Sequence, residues 1–383
     1  MNLSQEIQPG AEWTLREILQ QPRVWGEVSQ LLAGRAATID AFLRPLLGRN
    51  DMRVVLTGAG TSAFIGECLA PAIAARWDCR VEAVATTDLV ACPDNWLLPR
   101  TPTLLVSFAR SGNSPESVAA VELARSVLPQ CQHLIVTCSA EGDLHRRAQE
   151  LPNTHILLLP EETNDRSFAM TSSFSAMLLA AGLAFQVITP DRAALLGLSG
   201  AADAVLATWP VRIQALLQPP FERVVFLGAG VLKGLARESA LKLLELSDGN
   251  IVAVSDTPLG FRHGPKTIVN ARTLVILFVS NDPYRRQYDL DLLRELRADG
   301  IALRILAITA QSEVRAAHPD NFSLPALANF TDLELCLPFV IFAQLLAVLK
   351  SLALGLSPDN PNAAGTVNRV VRGVTIYPLS RKP

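Results

Sequence analysis

The residues best suited to chemistry lie in one stretch, Ala109-Arg110-Ser111-Gly112-Asn113-Ser114-Pro115-Glu116-Ser117. It follows the apolar run Leu104–Phe108, which reads as a buried strand, and leads into a segment of helical periodicity. Hydroxyls, an arginine and a glycine therefore gather where a strand feeds a helix. Pro115 suits the first turn of that helix and Ser114 its N-cap. Backbone N–H groups, the positive helix end and the serine hydroxyls would together hold a phosphate. A helix cap and turn with no ligand is the plainer alternative.

A second polar loop, Gly58-Ala59-Gly60-Thr61-Ser62-Ala63, follows the apolar run Val54–Thr57. Its spacing matches a G-x-G-x-x-A dinucleotide fingerprint. Such a fingerprint needs an acidic residue about 20 positions on, at the end of the next strand. Here Glu82 begins that strand and Asp88 lies beyond it, so the fit is poor and no nucleotide cofactor is expected. A tight turn before a helix is an equal reading of Gly60, Thr61 and Ser62. The six cysteines and five histidines are dispersed, with no C-x-x-C pair, so neither a metal site nor a disulfide framework is expected.

The elements that must position these loops are duplicated. Val54-Val-Leu-Thr-Gly-Ala-Gly60 returns 170 residues later as Val224-Val-Phe-Leu-Gly-Ala-Gly230, and Thr103–Phe108 returns as Thr273–Phe278. The loop after the second copy reads Val279-Ser280-Asn281-Asp282, with an acid that would repel phosphate. The asymmetry assigns the anion site to the first half alone. Candidate strands are Arg53–Thr57, Val81–Ala85, Thr103–Phe108, His133–Thr137 and His155–Leu159, then Arg223–Leu227, Asn250–Val254, Thr273–Val279 and Leu303–Thr309. Runs apolar on both faces and separated by helical spacers predict parallel strands in doubly wound α/β sandwiches. The expected fold class is therefore α/β, with two tandem flavodoxin-like three-layer sandwiches. The boundaries drawn are an N-terminal helical segment over 1–50, sandwiches over 51–212 and 213–356, and a C-terminal arm over 357–383 with a strand at Val371–Tyr377. Helical periodicity over Trp13–Leu47 is expected to break at Pro22, and Leu195–Pro220 reads as a helical connection.

The chain has 383 residues, with 34 basic against 36 acidic side chains. That balance argues against bulk nucleic-acid binding. An apolar share of 49 %, a charged share of 18 % and a mean hydropathy of +0.27 exclude a disordered chain and predict extensive burial. A subunit interface would add to it. The longest apolar run, Leu335–Leu349, contains Pro338 and Gln344 and falls short of the roughly 20 residues that cross a bilayer. The opening MNLSQEIQPG carries no signal-peptide pattern. A soluble cytoplasmic protein with no membrane or nucleic-acid partner is the expectation.

Ser62 after Gly-Thr, the Arg110–Ser114 loop and the duplication resemble the SIS (sugar isomerase) superfamily. Its members pair two such sandwiches and bind phosphosugars without metal or nucleotide. Glu238-Ser-Ala-Leu-Lys-Leu-Leu-Glu245-Leu-Ser is similar to the helix carrying the proton-transfer glutamate of glucosamine-6-phosphate synthase. Phe261-Arg-His263-Gly-Pro-Lys266 is similar to that enzyme's ring-opening histidine loop. More narrowly, Leu56–Gly66, Asp165–Ser173, Gln287–Leu293 and Gly365–Val371 resemble the galactosamine-6-phosphate deaminase/isomerase family (AgaS), also called tagatose-6-phosphate ketose/aldose isomerases. The matches run from about residue 50 to 377. Three departures stand out. Asn2 replaces the cysteine of a glutaminase domain, Ala109 replaces the first serine of the synthase's phosphate loop, and Arg372 replaces its C-terminal lysine. Arginine stays protonated, so a neutral amine is ruled out there.

The resemblance implies Gly60, Thr61 and Ser62 as further phosphate ligands, Glu245 as the proton shuttle, His263 as the ring-opening group and Arg372 as a fixed positive charge. Periodicity alone reads Glu245 otherwise, as part of a solvated face with Glu238 and Lys242. His263 lies in a loop bounded by Pro258 and Pro265, and imidazole suits acid–base work near pH 7. Arg166 and Ser167 would contact sugar hydroxyls, or simply begin a helix. The implied assembly is a homodimer or higher homo-oligomer with sites near the interface. The implied activity converts D-galactosamine 6-phosphate to D-tagatose 6-phosphate and ammonia. Aldose–ketose isomerisation without ammonia loss is one alternative, and a non-catalytic phosphosugar-binding regulator is another.

Overall fold

The computed structural model describes residues 9–371 and 373–379. Its first sheet holds β1 (Arg53–Thr57), β2 (Arg80–Ala83), β3 (Thr103–Ala109), β4 (Cys131–Thr137) and β5 (Thr154–Leu158), in the order β2-β1-β3-β4-β5. Its second holds β6 (Arg223–Gly228), β7 (Val252–Asp256), β8 (Thr273–Phe278), β9 (Arg304–Thr309) and β10 (Phe322–Ser323), in the order β10-β9-β8-β6-β7. Every pairing is parallel, and the two windings are the same flavodoxin-like one. Strands β1, β3 and β8 are buried along their whole length, which is why each reads as an unbroken apolar run.

Expected and observed strand ends agree to within two residues and coincide at both ends of β1, and β10 carries too few residues to leave a periodic signal. The strand expected over Val371–Tyr377 is absent from the described residues there, and Arg372 lies outside them. The N-terminal break falls at Gln20, between helices Glu12–Leu19 and Gln21–Leu47. Pro22 sits in the first turn of the second helix, where its missing N–H costs little.

Contacts gather the described chain into two compact units. Residues 27–165, 172–190, 364–371 and 373–379 surround the first sheet; 9–26, 166–171 and 191–363 surround the second. In the first unit, Val55, Leu105 and Ile135 pack under the helix Pro115–Val127 through Ala120, Val121 and Ala124. In the second, Val225, Val275 and Leu277 pack under the helix Pro283–Asp299 through Leu292, Leu293 and Leu296, together with Phe261. The opposite face carries Phe226 and Phe278, the latter stacked on Phe339 of the helix Asp332–Ala353. That helix is longer than the apolar run that marks it. It and Arg192–Leu216 are both long and apolar enough to cross a membrane by composition. An apolar window of Asp332–Ala353 is 94 % buried within the fold, as a core helix requires. Its one amide, Gln344, is satisfied by Gln21 Nε2 at 2.7 Å and by the Thr171 carbonyl at 3.3 Å.

Candidate active site

Strands β1 and β3 are neighbours, with Thr57 beside Ser107 in register. Their following loops, Gly58–Ser62 and Arg110–Ser114, therefore emerge side by side at the carboxyl edge, at the switch point of a 2-1-3-4-5 sheet where such folds bind ligands. Close packing shapes both loops. A Cβ at Gly58 would lie 2.6 Å from the Ser62 backbone, and Gly60 has φ +55° at the entry to the helix Thr61–Trp77. Thr61 and Ser62 are both buried.

In the other loop, Gly112 has φ +66°, and its carbonyl accepts from Leu144 N–H at 2.9 Å. Asn113 Oδ1 accepts from Asp143 N–H at 2.9 Å, which ties the loop to the helix Asp143–Ala148. Ser114 caps the helix Pro115–Val127 as expected: its Oγ accepts from Ser117 N–H at 3.3 Å and lies 2.7 Å from Ser117 Oγ. Arg110 is buried, and its Nη2 donates to the Arg369 carbonyl at 2.7 Å. Arg369 in turn donates through Nε to the Asp165 carbonyl at 3.1 Å. All seven candidate phosphate ligands thus lie on two adjoining loops of one unit. A cavity of about 550 Å³ in the same unit, lined by Glu116, Leu123, Ile376 and Leu379 among others, includes none of them.

The corresponding position in the second sheet is filled from within. Asp332 accepts from Ser280 Oγ at 2.6 Å, from Asn281 N–H at 2.7 Å and from Arg285 Nη1 at 3.3 Å. These are the donors an anion would use, and a carboxylate of the chain already holds them. Behind it, Asp289 accepts from Ser280 N–H at 2.9 Å. Burial pushes the Asp289 carboxyl up to about 7; that N–H opposes the shift and the Asp332 charge adds to it.

Glu245 does not lie on a solvated face. Glu238 and Lys242 are buried, and Lys242 Nζ is 2.5 Å from Glu245 Oε2 and 3.6 Å from Glu238 Oε1. The helix Leu232–Leu246 therefore carries a largely buried ion cluster whose outermost member, Glu245, keeps 26 % side-chain exposure. Lys242, placed by periodicity on a solvated face, is buried instead, and its three-residue spacing to Glu245 between leucines was the one signal of the pairing. His263 is exposed in the segment between β7 and β8, where its N–H donates to the Gly260 carbonyl at 2.9 Å. That segment covers the face of the second sheet shared by Phe261 and the helix Pro283–Asp299. The helix Leu232–Leu246 packs instead against Asp332–Ala353, on the other face. The sheet thus separates Glu245 from His263 within the unit.

Arg166 and Ser167 belong to this second unit and are held by the buried Glu17. Its carboxylate accepts from Arg166 N–H at 2.5 Å, from Ser167 N–H at 3.2 Å and from the Ser167 hydroxyl. The exposed Arg166 guanidinium stacks over Trp13 at 4.7 Å. Asp165, in the other unit, caps the helix Ser172–Ala184 by accepting from Ser173 N–H at 2.9 Å and from the Ser172 and Ser173 hydroxyls at 2.5 Å. No group of three or more His, Cys, Asp or Glu with metal-binding geometry occurs among the described residues.

Comparison with known proteins adds family to this geometry. The SIS domain model matches residues 48–187 and 220–352. A protein of Escherichia coli named D-galactosamine-6-phosphate deaminase AgaS is 47 % identical over 96 % of this chain and 96 % of its own length. One of the same name from Shewanella sp. (strain ANA-3) is 44 % identical over 99 % of this chain and 95 % of its own. The crystal structure of tagatose-6-phosphate ketose/aldose isomerase from Escherichia coli superposes with a TM-score of 0.89 at 44 % identity, covering 96 % of this chain and 97 % of that one. With two SIS domains and this kinship along nearly its whole length, the chain belongs to the SIS domain family, in the branch of the AgaS proteins.

Proposed function

We propose that the protein converts D-galactosamine 6-phosphate and water to D-tagatose 6-phosphate and ammonia, as a deaminating isomerase. The observation that carries this reading is identity near one half, along the whole chain, to proteins named for that deamination. The asymmetric pair of switch points supports it: one offers hydroxyls and backbone donors, while its counterpart is closed by Asp332.

In this reading the phosphate rests on Gly60, Thr61, Ser62, Arg110, Ser111, Asn113 and Ser114, and the exposed Arg166, steadied with Ser167 by Glu17, meets sugar hydroxyls. His263 passes a proton between the C1 hydroxyl and the ring oxygen and opens the ring. Glu245 takes the C2 proton and returns it to C1, leaving a C2 imine; water adds there, the C2–N bond breaks and ammonia leaves. Lys242 fixes the Glu245 carboxylate, and Arg372 supplies a permanent positive charge to the developing oxyanion. Because Glu245 and His263 lie across a sheet, the His263 that serves a given Glu245 comes from a second copy of the chain. The working form is then a cytoplasmic homodimer or higher homo-oligomer.

Simple aldose–ketose isomerisation is the second reading, favoured by the name of the superposed Escherichia coli structure. Ammonia and ketose phosphate measured in parallel on galactosamine 6-phosphate, glucosamine 6-phosphate and a plain aldose 6-phosphate decide between them. Ammonia together with ketose from the galacto amine upholds the deaminase. Ketose alone makes the protein an isomerase, and binding without either product makes it a sensor.

A further inference from the structure

The mechanism above leaves unused a charged cluster on either side of His263. Arg262 Nε donates to Glu295 Oε2 at 2.7 Å, and its Nη2 donates to Asp291 Oδ2 at 2.9 Å. Lys266 Nζ donates to Glu295 Oε1 and lies 2.6 Å from Asp299 Oδ2. Glu295 alone therefore receives both of the basic residues that bracket the histidine. Asp291, Glu295 and Asp299 follow one another at four-residue spacing on the helix Pro283–Asp299, so they line one helical face. The cluster holds its own charges: Lys266 and Arg262 hold the Glu295 carboxyl below the usual carboxylate range, and Asp299 and Glu295 raise the Lys266 ammonium.

His263 itself has little else to fix it. Its side chain is exposed, its imidazole has no hydrogen-bond partner among the described residues, and Gly264 beside it has φ +119°, a backbone state that favours glycine. The segment from Arg262 to Lys266 is anchored at its two ends and bare in the middle. We propose that Glu295 is a positioning residue for ring opening: by gripping Arg262 and Lys266 together it sets the direction in which His263 is presented. This rests on the role given to His263 above. General acid–base catalysis requires hydrogen-bond reach to the moving proton, so a loop that wanders by an ångström loses rate even when it still folds.

The test is a double-mutant cycle on the full chain, with kcat, KM and thermal midpoint measured for each variant. Glu295→Gln is expected to lower kcat by about tenfold with KM little changed, because positioning rather than binding is lost. The midpoint should barely move, since half-exposed ion pairs add little to stability. In a His263→Asn background the same change should cost nothing more, and Glu295→Asp should recover part of the rate. Lys266→Met, which cuts one arm of the grip, should show a smaller loss of the same kind and serves if Glu295→Gln folds poorly. Full turnover in Glu295→Gln, or a loss that multiplies undiminished onto His263→Asn, overturns the proposal while leaving His263 in place. Full turnover in His263→Asn instead overturns the underlying role of the histidine, and the proposal with it.

Discussion

Lys242 Nζ, itself buried, lies 2.5 Å from Glu245 Oε2 and within 3.6 Å of the buried Glu238. A lysine in that position does two things at once. It orients the carboxylate proposed to move the substrate proton, and it compensates a second carboxylate that has no access to water. Glu245→Gln should therefore lower kcat by about a thousandfold, the scale of a lost general base, with phosphate-dependent substrate binding retained. Lys242→Met should also destabilise the fold by about 3 kcal/mol, because it takes a buried cation away from the buried Glu238 carboxylate. Denaturant titration of Glu238→Gln/Lys242→Met checks the cause: the double variant should be more stable than Lys242→Met alone. If it is equally unstable, the loss comes from packing and not from charge.

The helix bearing Glu245 and the loop bearing His263 cover opposite faces of the second sheet. If two copies share each site, inactive Glu245→Gln and inactive His263→Asn chains should rescue one another. Unfolded and refolded together in equal amounts, they should recover about a quarter of wild-type activity, because half of the dimers are hybrids with one intact site each. No recovery, with hybrids shown to form by mass, would place both groups in one chain.

What could be read without coordinates followed from burial. Strands β1, β3 and β8 are covered on both faces, so they announced themselves as apolar runs, whereas the two residues of β10 could not. The Arg110–Ser114 loop was readable because Ser114 and Pro115 mark a helix start in any context. The ion cluster on Leu232–Leu246 was not, since Glu238, Lys242 and Glu245 show the same spacing on a wet face and in a closed one. Only the packing of Asp332–Ala353 beside that helix distinguishes the two. Nor could local pattern reveal that Glu17 grips Arg166 and Ser167, about 150 residues away in sequence.

The Ser111 loop proposed to hold phosphate is held from below by a contact that only glycine permits. A Cβ at Gly142 would stand 2.3 Å from the Ser111 carbonyl oxygen and 3.2 Å from Gly112 Cα. Gly142→Ala must therefore push Ser111 and Gly112 aside. Its backbone angles are ordinary, φ −67° and ψ 143°, so the substitution carries no conformational strain of its own. The expected result is a KM for the sugar phosphate raised about tenfold, or 1.4 kcal/mol, with kcat less affected. An unchanged KM would remove the Ser111 loop from the phosphate site.

Two buried groups tilt stability with pH in opposite directions. Asp289 titrates near 7 in the folded chain, above its ordinary value of 3.8, so between those values the folded state holds the extra proton. Its contribution is present at low pH and is lost as pH rises to about 7. His133 runs the other way: burial lowers it to about 4 from 6.5, so the unfolded state holds the extra proton and stability rises with pH across that interval. Asp289→Asn removes the falling component, so the stability of its unit should climb with pH relative to wild type, by on the order of 2 kcal/mol between pH 5 and 7.5. Denaturant midpoints of the two proteins, taken across that range, check it. Parallel curves would mean that Asp289 stays ionised behind Asp332, its charge carried by Ser280 N–H and the neighbouring Arg285 and Arg286.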